Sequence, residues 1–272
     1  MSSLTITTIQ TNLYWEDKEA NLRMLEDKFR NMDEPTEIIV LPEMFSTGFS
    51  MQPQLFAESM EGETVQWMKD MAARHRVVLA GSLIILEQQK FYNRFIWMLP
   101  NGQYGFYDKR HRFAFAGEDN HYTAGNKRMI VSVKGWKINL QVCYDLRFPV
   151  WARQQINTNS STGEPIQDTL PEYDLLLYVA NWPERRSHAW KTLLCARAIE
   201  NQCYAVGVNR VGKDGNDIYH SGNTMIVDPL GEVLYHIADD EDVFTISLQK
   251  EHLENVRNKF PFWKDGDEFM IK

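Results

Sequence analysis

Three side chains of complementary chemistry each follow a strand-like run. Lys137-Ile138-Asn139-Leu140-Gln141-Val142 alternates polar and apolar residues, as a half-buried β-strand does. It leads into Cys143-Tyr144-Asp145-Leu146-Arg147-Phe148-Pro149, and a helix-like segment follows. A thiol at such a strand-to-helix turn sits at the lip of a sheet, near backbone N–H groups that open the next helix. Glu43 follows Ile38-Ile39-Val40-Leu41-Pro42, and Lys109 follows Tyr104-Gly105-Phe106-Tyr107-Asp108. A carboxylate, an ammonium and a thiol are the parts needed for acyl transfer through a thioester.

Each residue alone has a plainer reading. A cysteine after an apolar strand is commonly a buried structural residue. Glu43 can cap or solvate a loop, and Lys109 opens the basic run Lys109-Arg110-His111-Arg112, by default a solvated surface.

The elements that must hold these residues alternate along the chain. Strands are predicted at Leu4–Gln10, Ile38–Leu41, Val77–Leu86, Leu175–Ala180 and Tyr204–Asn209. Helical spacing marks Asp17–Arg30, with Leu22, Leu25 and Phe29, and also Glu63–His75. A further helix, Ser187–Asn201, is expected to bury Trp190, Leu193, Leu194 and Ile199. Phe148–Ile156 reads as another, with Pro149 in its first turn. Hairpins are predicted for Asn93–Leu99 with Tyr104–Tyr107 across Asn101-Gly102, and for Met129–Val133 with Trp136–Val142 across Lys134-Gly135. A last one joins Thr224–Val227 to Glu232–His236. This mixture points to a mixed α/β sheet with helices outside. Residues 1–272 read as one domain. Residues 157–172 are expected to form a surface-loop insertion, and 252–272 a tail that alternates polar and aromatic residues.

Composition narrows the function. With 272 residues, 43% of them hydrophobic, the chain can bury a large core. A formal charge of −8 disfavours nucleic acid as a partner, because phosphate binding needs a concentrated basic surface. No run approaches the roughly 20 apolar residues that span a bilayer. Met1–Thr7 has neither the basic nor the apolar part of a secretion signal, so a cytoplasmic protein is expected. The three cysteines, Cys143, Cys195 and Cys203, suggest no disulfide framework, and the latter two read as core residues. The histidines lack metal-site spacing and no phosphate-cradling glycine loop is present, so neither metal nor cofactor is expected.

Leu41-Pro42-Glu43-Met44-Phe45, Asp108-Lys109-Arg110-His111 and Val142-Cys143-Tyr144-Asp145-Leu146-Arg147-Phe148-Pro149 resemble, in this order, the three signature blocks of the nitrilase superfamily of carbon–nitrogen hydrolases. The resemblance continues through Val179-Ala180-Asn181-Trp182-Pro183 and Ala196–Gln202 to Asn209-Arg210-Val211-Gly212 and Ser221-Gly222-Asn223, covering almost the whole chain. The Cys143–Trp151 run and Ala180–Pro183 look most like the bacterial omega-amidase branch, which deaminates ω-amides of dicarboxylic acids such as 2-oxoglutaramate.

That resemblance implies a four-layer αββα sandwich of two mixed sheets, and a homodimer. It implies Cys143 as nucleophile, Glu43 as general base and acid, and Lys109 with the Tyr144 backbone N–H at the oxyanion. Glu118 would be a second glutamate orienting Lys109. Asn181 and Trp182 would line the pocket. Arg147 is either an anchor for a substrate carboxylate or a partner of Asp145 or another acidic residue, and Arg185 and Arg186 are alternative anchors. The expected partners are a small amide and water. The alternatives are another amidase of the superfamily, an N-carbamoyl amino acid hydrolase, or a non-catalytic binding or scaffold protein of the same fold.

Overall fold

The computed structural model describes residues 3–155, 171–267 and 269–271. The first sheet takes β1 (Ser3–Gln10), β2 (Ile38–Val40), β3 (Val78–Glu87), β4 (Lys90–Met98) and β5 (Tyr104–Asp108). The second takes β6 (Ile130–Val133), β7 (Trp136–Val142), β8 (Leu175–Ala180), β9 (Tyr204–Asn209), β10 (Val211–Lys213), β11 (Tyr219–Val227) and β12 (Val233–Ala238). The last strand, β13 (Asp242–Gln249), returns to the first sheet and runs antiparallel to β1, so its order is β13-β1-β2-β3-β4-β5. In both sheets a parallel centre, β1-β2-β3 or β7-β8-β9, is flanked by antiparallel strands.

The helices are α1 (Lys18–Arg30), α2 (Pro53–Phe56), α3 (Glu63–His75), α4 (Glu118–His121), α5 (Pro149–Ala152), α6 (Ser187–Asn201) and α7 (Lys250–Lys259). The period of two along a strand sorts side chains between layers. Ile38 and Val40 of β2 enter the core between the sheets, with Val78, Ala80, Trp136, Ile138 and Leu140. Ile39 points the other way, to Leu25 and Phe29 of α1 and Met68 and Ala72 of α3. On the second sheet, Gly207 of β9 lets α6 approach closely: a Cβ there would lie 2.6 Å from both Leu194 and Trp190. The result is the expected αββα sandwich of two mixed sheets. Among the described residues, no helix is long and apolar enough to cross a membrane.

Several elements depart from the sequence reading. The helix expected over Phe148–Ile156 ends at Ala152, where Arg153 turns extended (φ −60°, ψ 134°). Ile199 is 53% exposed, because α6 buries Trp190, Leu194, Arg197, Ala198 and Asn201 instead. The tail from 252 begins inside α7, and Gln202 then holds it through the carbonyl of Phe260 and the N–H of Trp263. The insertion expected at 157–172 lies almost wholly outside the described residues. Glu172, at its end, accepts from Arg128 and from the Gln155 N–H.

Candidate active site

Cys143 terminates β7 and begins a 3-10 turn, Cys143–Arg147. Its φ of +46° lies in the left-handed region, which costs a non-glycine residue roughly 1–2 kcal/mol. The strained elbow is fixed by Asp145, a buried carboxylate used entirely inside the fold. One oxygen accepts from the Val142 N–H (3.0 Å) and the Tyr107 hydroxyl (2.8 Å). The other accepts from the N–H of His111 (2.9 Å) and its ring Nδ1 (2.8 Å). A carboxylate only accepts in these bonds, which puts the imidazole proton on Nδ1. Arg197 of α6 adds a bond to the Leu146 carbonyl (2.6 Å).

Tyr107 lies two residues before Lys109 on the β5 path. Asp145 therefore ties the thiol's elbow to the strand end that carries the ammonium. Asp145 does not take Arg147: that guanidinium lies 5.1 Å from the Trp182 ring.

Lys109 is 1% exposed and lies between two carboxylates. Its Nζ is 2.9 Å from Glu43 Oε1, and 3.0 and 2.9 Å from the two oxygens of Glu118. The backbone is held as firmly: Lys109 N–H donates to Asn93, and Gly125 N–H donates to the Lys109 carbonyl. Gly125 must be glycine, since a Cβ there would stand 2.0 Å from the Asp108 carbonyl oxygen. Glu43, just beyond β2, accepts the Asn181 N–H on its second oxygen (2.8 Å). Glu118 begins α4 and also accepts the Phe113 N–H. The run Lys109–Arg112 is thus no solvated surface. Arg110 and Arg112 are spent on the carbonyls of Gly125 and Tyr122.

The pKa shifts follow from this packing. Burial would lower the Lys109 ammonium, but Glu118, Glu43 and Cys143 outweigh it and keep it well above its ordinary range. Burial also raises the Cys143 thiol, with Glu43 adding to the rise and Lys109 opposing it. Glu118 is raised by burial against the pull of Lys109. A thiol held protonated beside a carboxylate, next to a fixed cation, suits proton transfer at the moment of attack.

A cavity of about 230 Å³ opens beside Cys143. Tyr144, Arg147, Asn181, Trp182, Arg185 and Arg186 all border it, so every candidate for substrate contact reaches one space. Sequence reasoning passed over Asn93, whose Nδ2 donates to Glu43 (2.8 Å) and Glu118 (3.4 Å). Its signal was an amide within a strand, directly before Arg94 and the apolar run Phe95–Met98. Asp145 as the hub of the elbow and Phe49, Phe113 and His220 of the cavity wall were also passed over. No local pattern marks them.

A thiol on a strained elbow, with a buried carboxylate and a buried ammonium both acting on it, fits a hydrolase that works through an acyl-thioester. The chain belongs to the carbon–nitrogen hydrolase family, whose model matches residues 5–258. It is 42% identical over 273 residues to the omega-amidase YafV of Escherichia coli K12, covering all of both chains. It is 28% identical to the 2-oxoglutaramate amidase of Bacillus subtilis over 264 residues, 96% of each. Among solved structures it is similar to XC1258 of Xanthomonas campestris, a CN-hydrolase superfamily protein with an arsenic adduct in its active site. There the TM-score is 0.93 and the identity 39%, over the full length of both chains.

Proposed function

We propose that this carbon–nitrogen hydrolase is an omega-amidase that converts 2-oxoglutaramate and water to 2-oxoglutarate and ammonia, with Cys143 as nucleophile. The observation that carries the reading is Lys109 bound between Glu43 and Glu118 beside the Cys143 elbow. Similarity to the omega-amidase and the 2-oxoglutaramate amidase supports the choice of amide.

Glu43 takes the thiol proton as sulfur bonds to the amide carbon. The oxygen that becomes negative is met by the Lys109 ammonium and the Tyr144 backbone N–H. As the C–N bond breaks, Glu43 returns the proton to departing ammonia. Water then enters, loses a proton to Glu43 and attacks the thioester. The C–S bond breaks, the carboxylate leaves, and the sulfur regains its proton. Glu118 acts by holding Lys109 on target.

Asn181 is 5% exposed, borders the cavity, and has an Oδ1 without a hydrogen-bond partner among the described residues. In this reading that oxygen accepts from the substrate amide, Trp182 covers the aliphatic chain, and Arg147 meets the far carboxylate. The same reading makes the molecule one domain and places it in the cytoplasm as a homodimer. Exposed Ile199, beside Gly231, together with exposed Leu230 offers an apolar contact for a second copy. Light scattering reads that mass directly.

The deciding experiment is ammonia release from 2-oxoglutaramate beside glutamine, an aliphatic nitrile and an N-carbamoyl amino acid. Preference for the first is expected. Carbon dioxide together with ammonia from the carbamoyl compound, and none from 2-oxoglutaramate, would move the protein to a different activity in the family.

A further inference from the structure

Arg147, Arg185 and Arg186 border the cavity beside Cys143, and none has a carboxylate within salt-bridge range among the described residues. Several arginines elsewhere are matched by carboxylates, Arg94 by Glu87 and Asp108, Arg128 by Glu172, Arg197 by Glu200 and Arg257 by Asp174, and Arg110, Arg112 and Arg210 are spent on backbone carbonyls. Three guanidiniums against the single carboxylate of Asp214 leave the cavity with an excess of positive charge that favours an anion.

Two of the three are also held in place. The Arg186 guanidinium lies 4.8 Å from the Phe113 ring, and that of Arg147 lies 5.1 Å from the Trp182 ring. Both platforms are fixed from behind. Phe113 donates its N–H to Glu118, and its ring meets Tyr144 edge-on at 5.0 Å. Trp182 donates Nε1–H to the carbonyl of Arg186 itself (2.8 Å), so the platform under one arginine anchors the backbone of the other. Arg185 is exposed and has no such seat.

Burial, then Arg185, weaken the hold of Arg186 on its proton, Arg147 adds to this, and only Cys143 and Tyr144 oppose it. The cavity lining holds one carboxylate, Asp214, and it forms no salt bridge with any of the three arginines. Asp214 spends one oxygen on the N–H groups of Asn216 and Ile218. His220 is kept neutral by burial and by Arg210, its pKa pushed down to about 4.

We propose that Arg186, paired with Arg147, is a specificity-determining residue: the two guanidiniums clamp the carboxylate and neighbouring 2-oxo oxygen at the far end of the substrate. This rests on the omega-amidase reading and deepens it. A carboxylate beside a ketone presents oxygens in one plane, which matches the planar N–H forks of guanidinium. Replacing the ketone by an α-ammonium puts a fourth cation against three, so glutamine is rejected by charge and not by size. A neutral amide leaves both arginines half-buried without a partner.

The test compares kcat/KM for 2-oxoglutaramate with that for valeramide, the same chain without carboxylate or ketone. Arg186→Ala is expected to lower the first by on the order of 10²-fold, and the second by at least about tenfold less. Arg186→Lys restores only part, because an ammonium cannot bond bidentately. Arg185→Ala costs less than Arg186→Ala. Equal losses on both amides, or a larger effect at Arg185, overturn the proposal. If the unaltered enzyme leaves 2-oxoglutaramate intact, the omega-amidase reading itself has failed. The clamp is then judged by the 2-oxoglutarate concentration that shields Cys143 from iodoacetamide, read by mass spectrometry of its peptide. A weaker shield in Arg186→Ala supports the clamp, and an unchanged one overturns it.

Discussion

In the buried interior near Cys143, Lys109 is enclosed by Glu43 and Glu118, and Asn93 bonds to both carboxylates. At the more exposed side, Arg147 and Arg186 rest on aromatic faces with no carboxylate beside them. Chemistry that must begin the same way in each turnover needs groups already in place, and only internal partners can hold a buried ammonium against the cost of burial. Recognition is better served by charge left unmatched until the ligand arrives, since any resident counter-ion would have to be displaced first. Cys143, which borders the cavity, stands between the two arrangements. Under the proposed function, the difference separates the residues assigned to the reaction from those assigned to choosing the molecule.

That contrast is broken most completely by Cys143→Ala. Alanine keeps the left-handed φ equally strained, so circular dichroism and thermal midpoint should stay close to those of the unaltered protein while ammonia release is abolished. Residual turnover would remove Cys143 from the mechanism. Lys109→Met comes next. It leaves Glu43 and Glu118 buried together without a cation, and stability measured in urea should fall by about 3–5 kcal/mol alongside the loss of activity. A stable Lys109→Met protein would mean that the two carboxylates had found another partner.

On the recognition side, His220 supplies a pH test. Its folded pKa, near 4, lies below the ordinary 6.5, so folding favours the neutral ring. The stabilisation is present above pH 6.5 and lost as pH falls toward 4, at about 3 kcal/mol in full. His220→Gln should flatten the fall in thermal midpoint over that window. An identical fall in both proteins would place the acid sensitivity elsewhere.

The smallest effect is expected where the two regions share scaffolding. Tyr107→Phe removes one bond to Asp145 and leaves the Trp151 and Arg110 donors facing an apolar ring. It should cost about 1–3 kcal/mol of stability. It should also lower kcat more than it raises KM, because the elbow of Cys143 loosens relative to Lys109. A change confined to KM would contradict that link.

Local sequence pattern was enough to locate the strand ends and the residues that stand on them. Alternation over Lys137–Val142 and apolar runs at Ile38–Leu41 and Leu175–Ala180 are local signals, and a strand end fixes where the next side chain must go. Glu43, Lys109, Cys143 and Asn181 were legible for that reason, and Glu118 through resemblance. β13 was missed because its burial alternates weakly, and it is stabilised by β1 from the opposite end of the chain. Ile199 fits helical spacing as well as Leu194 does, and only the direction from which the sheet meets α6 exposes it.

Which charges meet depends on the packing of segments far apart in the chain. Asn93 acquires a role when β2, β5 and α4 bring Glu43, Lys109 and Glu118 to it. Asp145 lies two residues from Arg147 yet binds Tyr107 on a strand of the other sheet and His111 in the loop beyond it. Local pattern records which residues are apolar and how often they recur. The partner of a buried charge is selected by distance and desolvation, and both come into being only when distant segments pack.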